Sequence, residues 1–356
     1  MEQLSTSSLI LTNDREKLIY VCLNRLGIDG SSRFSCNPKQ PDSSWCGVLR
    51  RFVLILAERR YAALAFVLLV AFWGSTFAAI KVSLEYSPAI LFAGTRTLLC
   101  GAAVTIAAVV WGGKPNLRRD WPGYMLLAAF NVVLFMGLQT LTILYMPSGS
   151  AAVVIYLQPI LVGLFAFLML GEPLSAVKVI GLLLGFSGVV VVSAGSFSEA
   201  SLGTPLGVAL GVGSALSWAL GTVFFKRYGE RLSMLWAVAV PFSLGGIILT
   251  SLGLALESFS EITWNLTFAV SWLYSSLVGT ALAWVLWLGL VRAGEASRVS
   301  AYVFFVPLVS VLLGALFLGE ALGPLLLVGA AFVVTGIYLV NKRSAVESQP
   351  SSEGKK

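Results

Sequence analysis

One charged side chain of this sequence lies deep inside an apolar segment. Arg96 follows the start of that segment at Pro88 by eight positions, which corresponds to about 12 Å along a helix. A guanidinium is a permanent planar cation, and a cation at such depth usually faces a cavity or a partner group. Two interpretations stay open. Arg96 holds a carboxylate or phosphate of a ligand or closes a gate, or it bonds backbone carbonyls and extends towards water.

Ten side chains inside apolar segments make up the predicted binding set. The aromatic members could form a wall for apolar or aromatic metabolites, although ordinary packing accounts for any one of them equally well. The amides and the hydroxyl need partners in an apolar surrounding, so each either lines a cavity or bonds a neighbouring helix. The set consists of Arg96, the aromatic residues Trp73, Tyr156, Trp218, Trp284 and Tyr302, and the polar residues Asn131, Gln139, Gln158 and Thr280.

The sequence also excludes several kinds of chemistry. It contains no histidine, which rules out imidazole acid–base catalysis, serine–histidine triads and histidine metal sites. Its four cysteines have no C-x-x-C spacing, and no Walker or H-E-x-x-H motif occurs. No Asp or Glu falls in the middle of a predicted span, so we expect no carboxylate proton relay. We therefore predict no cofactor, no metal and no enzymatic activity, with an intramembrane enzyme or lipid-handling protein as the disfavoured alternative.

Composition assigns the chain to the membrane. Hydrophobic residues make up 57% of its 356 residues and charged residues 12%, against about 45–50% and about 25% in soluble domains. The net charge of +7 is scattered between apolar runs, so we expect no nucleic-acid partner. A helix that crosses the bilayer needs about 20 mostly apolar residues. The predicted spans are 61–80, 88–110, 121–142, 147–170, 176–194, 204–225, 232–254, 266–291, 297–318 and 322–340.

Basic residues predict the orientation of these spans. With the N-terminus inside, the inner loops carry nine Lys or Arg residues and the outer connections only Lys81, which places both ends in the cytoplasm. Residues 1–50 lack the continuous apolar core of a signal peptide, and residues 1–60 precede the first predicted span. We interpret them as a disordered cytoplasmic extension, with a start-site artefact and a regulatory tail as alternatives. Residues 342–356 form the predicted cytoplasmic C-terminal tail.

The second half of the chain repeats the first. One group of residues recurs at an offset of 148 positions and a second group at an offset of 145. Each half holds five spans, an odd number, so the two copies must lie in the membrane in opposite orientations, as in many secondary transporters. The first group pairs Pro159, Leu170-Gly171-Glu172, Gly181 and Gly188 with Pro307, Leu318-Gly319-Glu320, Gly329 and Gly336, and the second pairs Trp73 and Lys81 with Trp218 and Lys226.

Two of these symmetric pairs have an expected structural role. Pro159 and Pro307 lack a backbone donor and free a carbonyl within their helices. Their equivalent placement favours paired hinges, with packing adaptation as the alternative. Glu172 and Glu320 are expected to cap the helices that follow them, and a gating role is the less favoured alternative.

Several motifs resemble a known family. The stretch from Tyr145 through Pro159 to Leu-Gly-Glu172-Pro is similar to the fourth helix of EamA-type members of the drug/metabolite transporter superfamily. The stretch from Ala293 through Pro307 to Leu-Gly-Glu320 is similar to the ninth. Trp73-Gly-Ser and the segment around Arg96 resemble the first and second helices. The resemblance covers residues 61–341.

The resemblance implies an all-α polytopic membrane protein with ten transmembrane helices in two inverted five-helix EamA repeats, at 61–195 and 204–341. It also implies that the first, third, fourth, sixth, eighth and ninth helices line the site. The expected function is a permease of the bacterial cytoplasmic membrane that exports or exchanges amino acids or other small metabolites by alternating access. The expected partners are a small metabolite and the lipid bilayer, for a monomer or homodimer.

One alternative from the same fold class remains. An exchanger of phosphorylated or nucleotide-linked metabolites would need several cations around its cavity, and Arg96 is the one cation clearly placed inside a span. Coupling to an ion and facilitated diffusion without coupling both stay open.

Overall fold

A computed structural model describes residues 59–146, 148–194, 204–318 and 324–342. Within these ranges the chain forms helices and no β-strand. The predicted tails at 1–60 and 342–356 lie outside the described residues except at their inner ends. In chain order the helices are α1 Arg59–Leu84, α2 Ala89–Trp111, α3 Leu117–Tyr145, α4 148–170, α5 Ala176–Ala194, α6 Pro205–Tyr228, α7 Trp236–Leu256, α8 Leu266–Ala293, α9 296–318 and α10 Pro324–Asn341.

The described helices have the lengths and surfaces of membrane spans. Nine are long and apolar enough to cross a bilayer, and the shorter apolar helix Leu325–Asn341 makes the tenth. Large apolar side chains lie on their outer faces, such as Ile106 at 68% and Leu327 at 75% exposure. Lipid accepts such a surface, whereas water does not. The prediction of an all-α membrane protein with ten spans is confirmed. Several helix boundaries differ from the predicted spans by up to four residues. Helix α3 begins four residues earlier than predicted, because the side chain of Asn116 accepts a hydrogen bond from the backbone N–H of Arg119 at 3.2 Å.

Glycines bring α5 and α10 into backbone contact. A Cβ atom at Gly181 would lie 2.7 Å from the carbonyl oxygen of Gly336, and one at Gly188 would lie 2.7 Å from the carbonyl oxygen of Gly329. Residue numbers rise along one helix as they fall along the other, so the two helices are antiparallel. In the repeat, Gly181 corresponds to Gly329 and Gly336 corresponds to Gly188, each at an offset of 148 residues. The two contacts are therefore equivalent and are related by a twofold axis.

The helices α2 and α7 cross in the same way. A Cβ atom at Gly94 would collide with the backbone of Thr250, and one at Gly101 would collide with the backbone of Ser243. These two contacts are also equivalent, because Gly94 corresponds to Ser243 and Thr250 corresponds to Gly101 at an offset of 149 positions. Equivalent helices of the two repeats therefore pack antiparallel in two separate places. This confirms that the five-helix repeats are inverted relative to each other.

Four helices depart from regular α-helical geometry at equivalent places. The segments Ala128–Leu134 in α3 and Leu277–Leu282 in α8 are π-helical. Helix α4 is interrupted between Ile155 and Gln158, and α9 contains the 3-10 turn Tyr302–Phe304. Both interruptions end two or three residues before the symmetric prolines Pro159 and Pro307, as expected where a proline removes a donor. The π segments carry no comparable sequence signal, yet such segments often occur at functional sites.

Two carboxylates cap helices of the opposite repeat. Glu172 was expected to cap the helix that follows it, and this expectation is wrong. Its Oε1 accepts a hydrogen bond from the backbone N–H of Ala296 at 2.7 Å, and its Oε2 accepts from the backbone N–H of Ser297 at 3.1 Å and from the hydroxyl of Ser297. Glu257 likewise accepts from two backbone N–H groups in the first turn of α2, at 2.9 and 2.7 Å. Negative charge at a helix start is favourable, and here it also joins the repeats.

A buried lysine extends the first of these contacts into a clamp between the repeats. Lys178 lies in the first turn of α5, and its side chain is only 5% exposed. Its Nζ lies 3.0 Å from Glu295 Oε2 and donates hydrogen bonds to the carbonyl of Pro173 and the hydroxyl of Ser297, both at 2.9 Å. Glu295 also pairs with Arg298 at 2.9 Å. The positions 148 residues away from Lys178 and Glu295 are Leu326 and Pro147, so the sequence does not repeat this ion pair.

The glycine crossing predicts a sharp loss of stability on adding one methyl group. In Gly336→Ala the new Cβ would lie within 2.7 Å of backbone atoms of Gly181 and Gly185, which cannot move aside as a side chain can. We expect the free energy of unfolding to fall by about 1–3 kcal/mol, measured by unfolding in detergent. In the control Gly123→Ala the nearest atoms lie 3.6 Å away. Equal effects of the two substitutions would contradict the crossing.

The clamp gives a second prediction. Glu295→Gln leaves Lys178 buried without its anion, so we expect the free energy of unfolding to fall by about 1–2 kcal/mol, because Glu295 is itself partly exposed. Adding Lys178→Met should recover part of that loss, because the isolated cation is then removed. The exposed Glu261→Gln is the matched control and should change little. If the losses of unfolding free energy caused by Glu295→Gln and Lys178→Met simply add in the double variant, the ion pair contributes nothing to stability.

Candidate functional site

A small cavity lies between the repeats. Its volume is about 30 Å³, enough for about one or two water molecules. Six helices line it: α1, α2, α3, α4, α6 and α8. The resemblance pointed to the ninth helix and not the second; among the described residues the second contributes a lining side chain and the ninth contributes none. The lining residues are Trp73, Thr76, Phe77, Ile80, Arg96, Phe135, Met136, Gln139, Ile155, Tyr156, Trp218, Gly279, Thr280 and Trp284.

Three indoles of the lining, those of Trp73, Trp218 and Trp284, pack together with the indole of Trp287, and we call these four residues the tryptophan layer. Trp73 and Trp218, equivalent in the repeat, meet edge to face with ring centroids 5.2 Å apart. Trp284 lies 6.3 and 6.5 Å from these two rings, and Trp287 lies 5.5 and 5.7 Å from them. Each aromatic pair contributes about 0.5–1.5 kcal/mol beyond its buried area. The layer therefore packs side chains of both repeats against one another at the twofold axis.

Arg96 reaches the cavity from α2 and is 1% exposed. Its Nη2 donates to the sulfur of Met136 at 3.2 Å, and its Cζ lies 5.4 Å from the ring centroid of Phe92. Its Nε has no hydrogen-bond partner, and in the part of the chain that the structure describes Arg96 bonds no backbone carbonyl and forms no ion pair. A thioether and an aromatic ring compensate a buried cation only weakly. The guanidinium is thus suited to bind an anion that enters the cavity.

The remaining polar lining is uncharged. Thr280 Oγ1 donates to the carbonyl of Ser275 at 2.7 Å within the π segment of α8, and Thr76 Oγ1 donates to the carbonyl of Phe72 at 2.5 Å. Both hydroxyl protons are used in this way, so each of these oxygens can act towards a further group only as an acceptor. Gln139 at 9% exposure and Tyr156 at 2% complete the polar wall. The lining combines one cation with uncharged hydrogen-bonding groups and large apolar surfaces.

Three residues of the predicted binding set lie outside the cavity lining. Asn131 packs against Gly221 of α6, and Gln158 is fully buried at the interruption of α4. Tyr302 stacks on Phe66 with ring centroids 4.4 Å apart. The other seven predicted residues line the cavity together, and their role in binding stays a prediction.

Sequence reasoning missed half of the lining. Thr76, Phe77 and Ile80 were not singled out, although they follow Trp73 at the spacing of one helix face. That spacing could have revealed them. The others missed are Phe135, Met136, Ile155 and Gly279. Phe135 and Met136 precede Gln139 by about one turn, whereas Gly279 carries no side-chain signal at all.

Comparison with known proteins agrees with this architecture. The model of the EamA-like transporter family matches residues 60–194 and 205–342, one copy for each repeat. The chain belongs to the EamA-like transporter family. As a member of this family it is a multi-pass membrane transporter, and the resemblance seen in the sequence motifs is confirmed.

Individual EamA relatives extend over most of this chain. An uncharacterized transporter of Bacillus subtilis, YvbV, is 42% identical over 285 residues, covering 80% of this chain and 93% of its own. A probable amino-acid metabolite efflux pump of Escherichia coli is 30% identical, covering 76% of this chain and 92% of its own. A crystal structure that is 21% identical matches with a TM-score of 0.68 over 80% of this chain and 97% of its own. That structural likeness shows the fold alone.

Proposed function

We propose that the protein is a secondary transporter that exports or exchanges amino acids or similar small carboxylates by alternating access. The observation that carries this proposal is Arg96, a buried cation at the cavity with an unpartnered Nε and no anionic partner among the described residues. A substrate carboxylate would supply the charge and the acceptors that the guanidinium lacks.

The rest of the lining fits the other end of such a solute. Phe77, Phe135 and the tryptophan layer offer apolar and aromatic surface, and the acceptor oxygens of Thr76 and Thr280 suit an ammonium group. The name of the Escherichia coli relative, a probable amino-acid metabolite efflux pump, is consistent with this class.

Substrate entry requires the cavity to enlarge. A volume of about 30 Å³ is far below the several hundred Å³ of a pocket for a small molecule. We propose that the repeats rock about the tryptophan layer, with Pro159 and Pro307 as hinges at the interruptions of α4 and α9. Inverted repeats support this motion. If the two repeats swap conformations, a state that is open to one side of the membrane becomes a state of similar energy that is open to the other side.

The alternative substrate class receives less support from the lining. A phosphate ester carries up to two charges on one group and is usually bound by several cations. Among the described residues that line the cavity, Arg96 is the sole cation. A single carboxylate therefore matches the site better than a phosphorylated or nucleotide-linked metabolite.

The same proposal includes the orientation and organisation expected from the sequence. It places the chain in the cytoplasmic membrane with both ends inside, and it treats 61–195 and 204–341 as the moving units. The protein works as a monomer or homodimer, with no catalytic step of its own.

Replacing the buried cation tests the proposal. We expect Arg96→Met, reconstituted in liposomes, to exchange labelled amino acids at least tenfold more slowly than the wild type. Its unfolding in detergent should be unchanged or shifted to higher stability, because an incompletely paired buried charge is removed. The matched control Arg119→Met removes an arginine whose side chain is 62% exposed, and it should leave exchange unchanged.

Two results would contradict the proposal. Exchange by Arg96→Met at the wild-type rate would remove Arg96 from the binding site. Saturable uptake of labelled phosphate esters by the wild type, without exchange of any labelled amino acid, would favour the alternative substrate class.

A further inference from the structure

Arg96 has one hydrogen-bond acceptor among the described residues, the sulfur of Met136. Both side chains line the cavity, and Met136 is 3% exposed. The Nη2 atom of Arg96 lies 3.2 Å from this sulfur. Met136 therefore occupies a position on the guanidinium that an entering anion would need.

A thioether is a weak substitute for an anion at this position. Its sulfur is a weak hydrogen-bond acceptor and carries no charge. A hydrogen bond from a guanidinium to a carboxylate is charge-assisted and about twice as strong as a neutral one. An unbranched methionine side chain also has three rotatable bonds and adapts easily to its surroundings. A carboxylate that reaches Arg96 is therefore able to replace the sulfur.

The backbone of Met136 is held in place, so its side chain is the part that can move. Its carbonyl accepts a hydrogen bond from the hydroxyl of Thr140 at 2.8 Å. The next residue, Gly137, lies against α7, where a Cβ atom would be 3.2 Å from the side chain of Leu249. Rotation of the thioether away from Arg96 would uncover the cation and also enlarge a cavity of only about 30 Å³. One movement thus provides both the anion site and space for the solute.

The second repeat has neither member of this pair. The π segments Ala128–Leu134 and Leu277–Leu282 align α3 with α8 at an offset of 149 positions. At this offset Met136 corresponds to Val285, and Arg96 corresponds to Gly245. Valine fills the equivalent place in α8 without a sulfur atom. The cation and its acceptor thus occur together, in the first repeat alone.

We propose that Met136 is an internal ligand of Arg96 that the carboxylate of the solute displaces, and that it sets the affinity of the site for carboxylates. This inference rests on the proposed function, because it assumes that Arg96 binds the carboxylate. The thioether competes with the solute for the guanidinium. A stronger acceptor at position 136 therefore raises the solute concentration needed for half-saturation, and an apolar residue lowers it. The maximal rate is unaffected, because saturating solute displaces the internal ligand completely.

Three variants of similar side-chain volume test this competition. Met136→Leu removes the acceptor, Met136→Gln supplies a stronger neutral acceptor, and Met136→Glu supplies an anion. The probe is whichever of the twenty labelled amino acids the wild type exchanges fastest in liposomes. We expect the half-saturation concentration to fall at least twofold in Met136→Leu and to rise at least fivefold in Met136→Gln, with maximal rates within twofold of the wild type. Met136→Glu should exchange at least tenfold more slowly at the concentration that half-saturates the wild type.

Met234 is the matched control. It is 5% exposed and does not line the cavity. The hydroxyl of the preceding residue, Ser233, donates to the carbonyl of Gly112 at 3.0 Å. Gly112 follows Arg96 by 16 positions, which is about 24 Å along a helix. Met234→Leu and Met234→Gln should therefore leave the half-saturation concentration unchanged.

Unfolding in detergent tests the same contact without any solute. We expect Met136→Glu to leave the midpoint of unfolding unchanged or to raise it when Arg96 is present, because the buried cation gains an anion. In the Arg96→Met background the same substitution should lower the midpoint, because the buried carboxylate then has no cation. The control Met234→Glu should shift the midpoint equally in both backgrounds.

Two results would overturn the internal ligand. A half-saturation concentration that is unchanged in Met136→Leu and Met136→Gln, or that changes in the same direction in both, would assign Met136 to packing. An equal effect of Met136→Glu on the unfolding midpoint in both backgrounds would show that position 136 does not pair with Arg96. The Leu and Gln variants decide the proposal even if Met136→Glu does not fold.

Failure of the proposed function is distinguishable from failure of the internal ligand. If the wild type exchanges none of the amino acids, or if Arg96→Met exchanges normally, the proposed function fails. If Arg96→Met is slow as expected and the Met136 variants alone behave like the wild type, the internal ligand alone fails.

Discussion

Backbone contact between equivalent helices is the constraint on which the rest of this structure depends. Lipid gives no hydrophobic drive for helices to associate, so close packing has to supply it. Glycines at the α5–α10 and α2–α7 crossings let the chains approach until a methyl group would collide. Both crossings join one repeat to the other in antiparallel fashion. They fix the twofold axis, and the axis fixes which side chains meet at the centre.

The centre of the molecule contains both residues that obey the twofold symmetry and residues that have no equivalent in the other repeat. Trp73 and Trp218 are equivalent in the repeat, and they meet directly at 5.2 Å. The cavity beside their layer is lined by Arg96, whereas the equivalent position 149 residues later is Gly245, so the cation is not repeated. The clamp of Lys178 and Glu295 likewise has no repeated counterpart in the sequence. A symmetric scaffold thus carries asymmetric chemistry, which a transporter needs if one end of a solute is to be recognised differently from the other.

Much of this architecture could be predicted from the sequence, because it depends on the length of the apolar segments and on the recurrence of residues between the two halves of the chain. Apolar segment length gave the ten spans, and the recurrence of Gly181 and Gly188 as Gly329 and Gly336 gave the inverted repeats, whose direct contact the structure then shows. The π segments, the cap that Glu172 forms on α9 and the meeting of the indoles could not be predicted. Each depends on which helix face lies opposite which, and a single sequence contains no such pairing information. The same limit placed Asn131 and Gln158 in one set with Arg96, although neither of them lines the cavity.

The most direct test of the account uses one cysteine on each side of the tryptophan layer. Phe77 lines the cavity, and Thr222, buried in α6, follows it by 145 positions and is its equivalent in the second repeat. In a background without native cysteines, Phe77→Cys and Thr222→Cys would each be treated with a membrane-impermeant maleimide from either face of oriented vesicles. The account predicts that each cysteine is labelled from one face only and that the two faces are opposite. Labelling of both cysteines from the same face would contradict an inverted pair of repeats that opens alternately about a central layer.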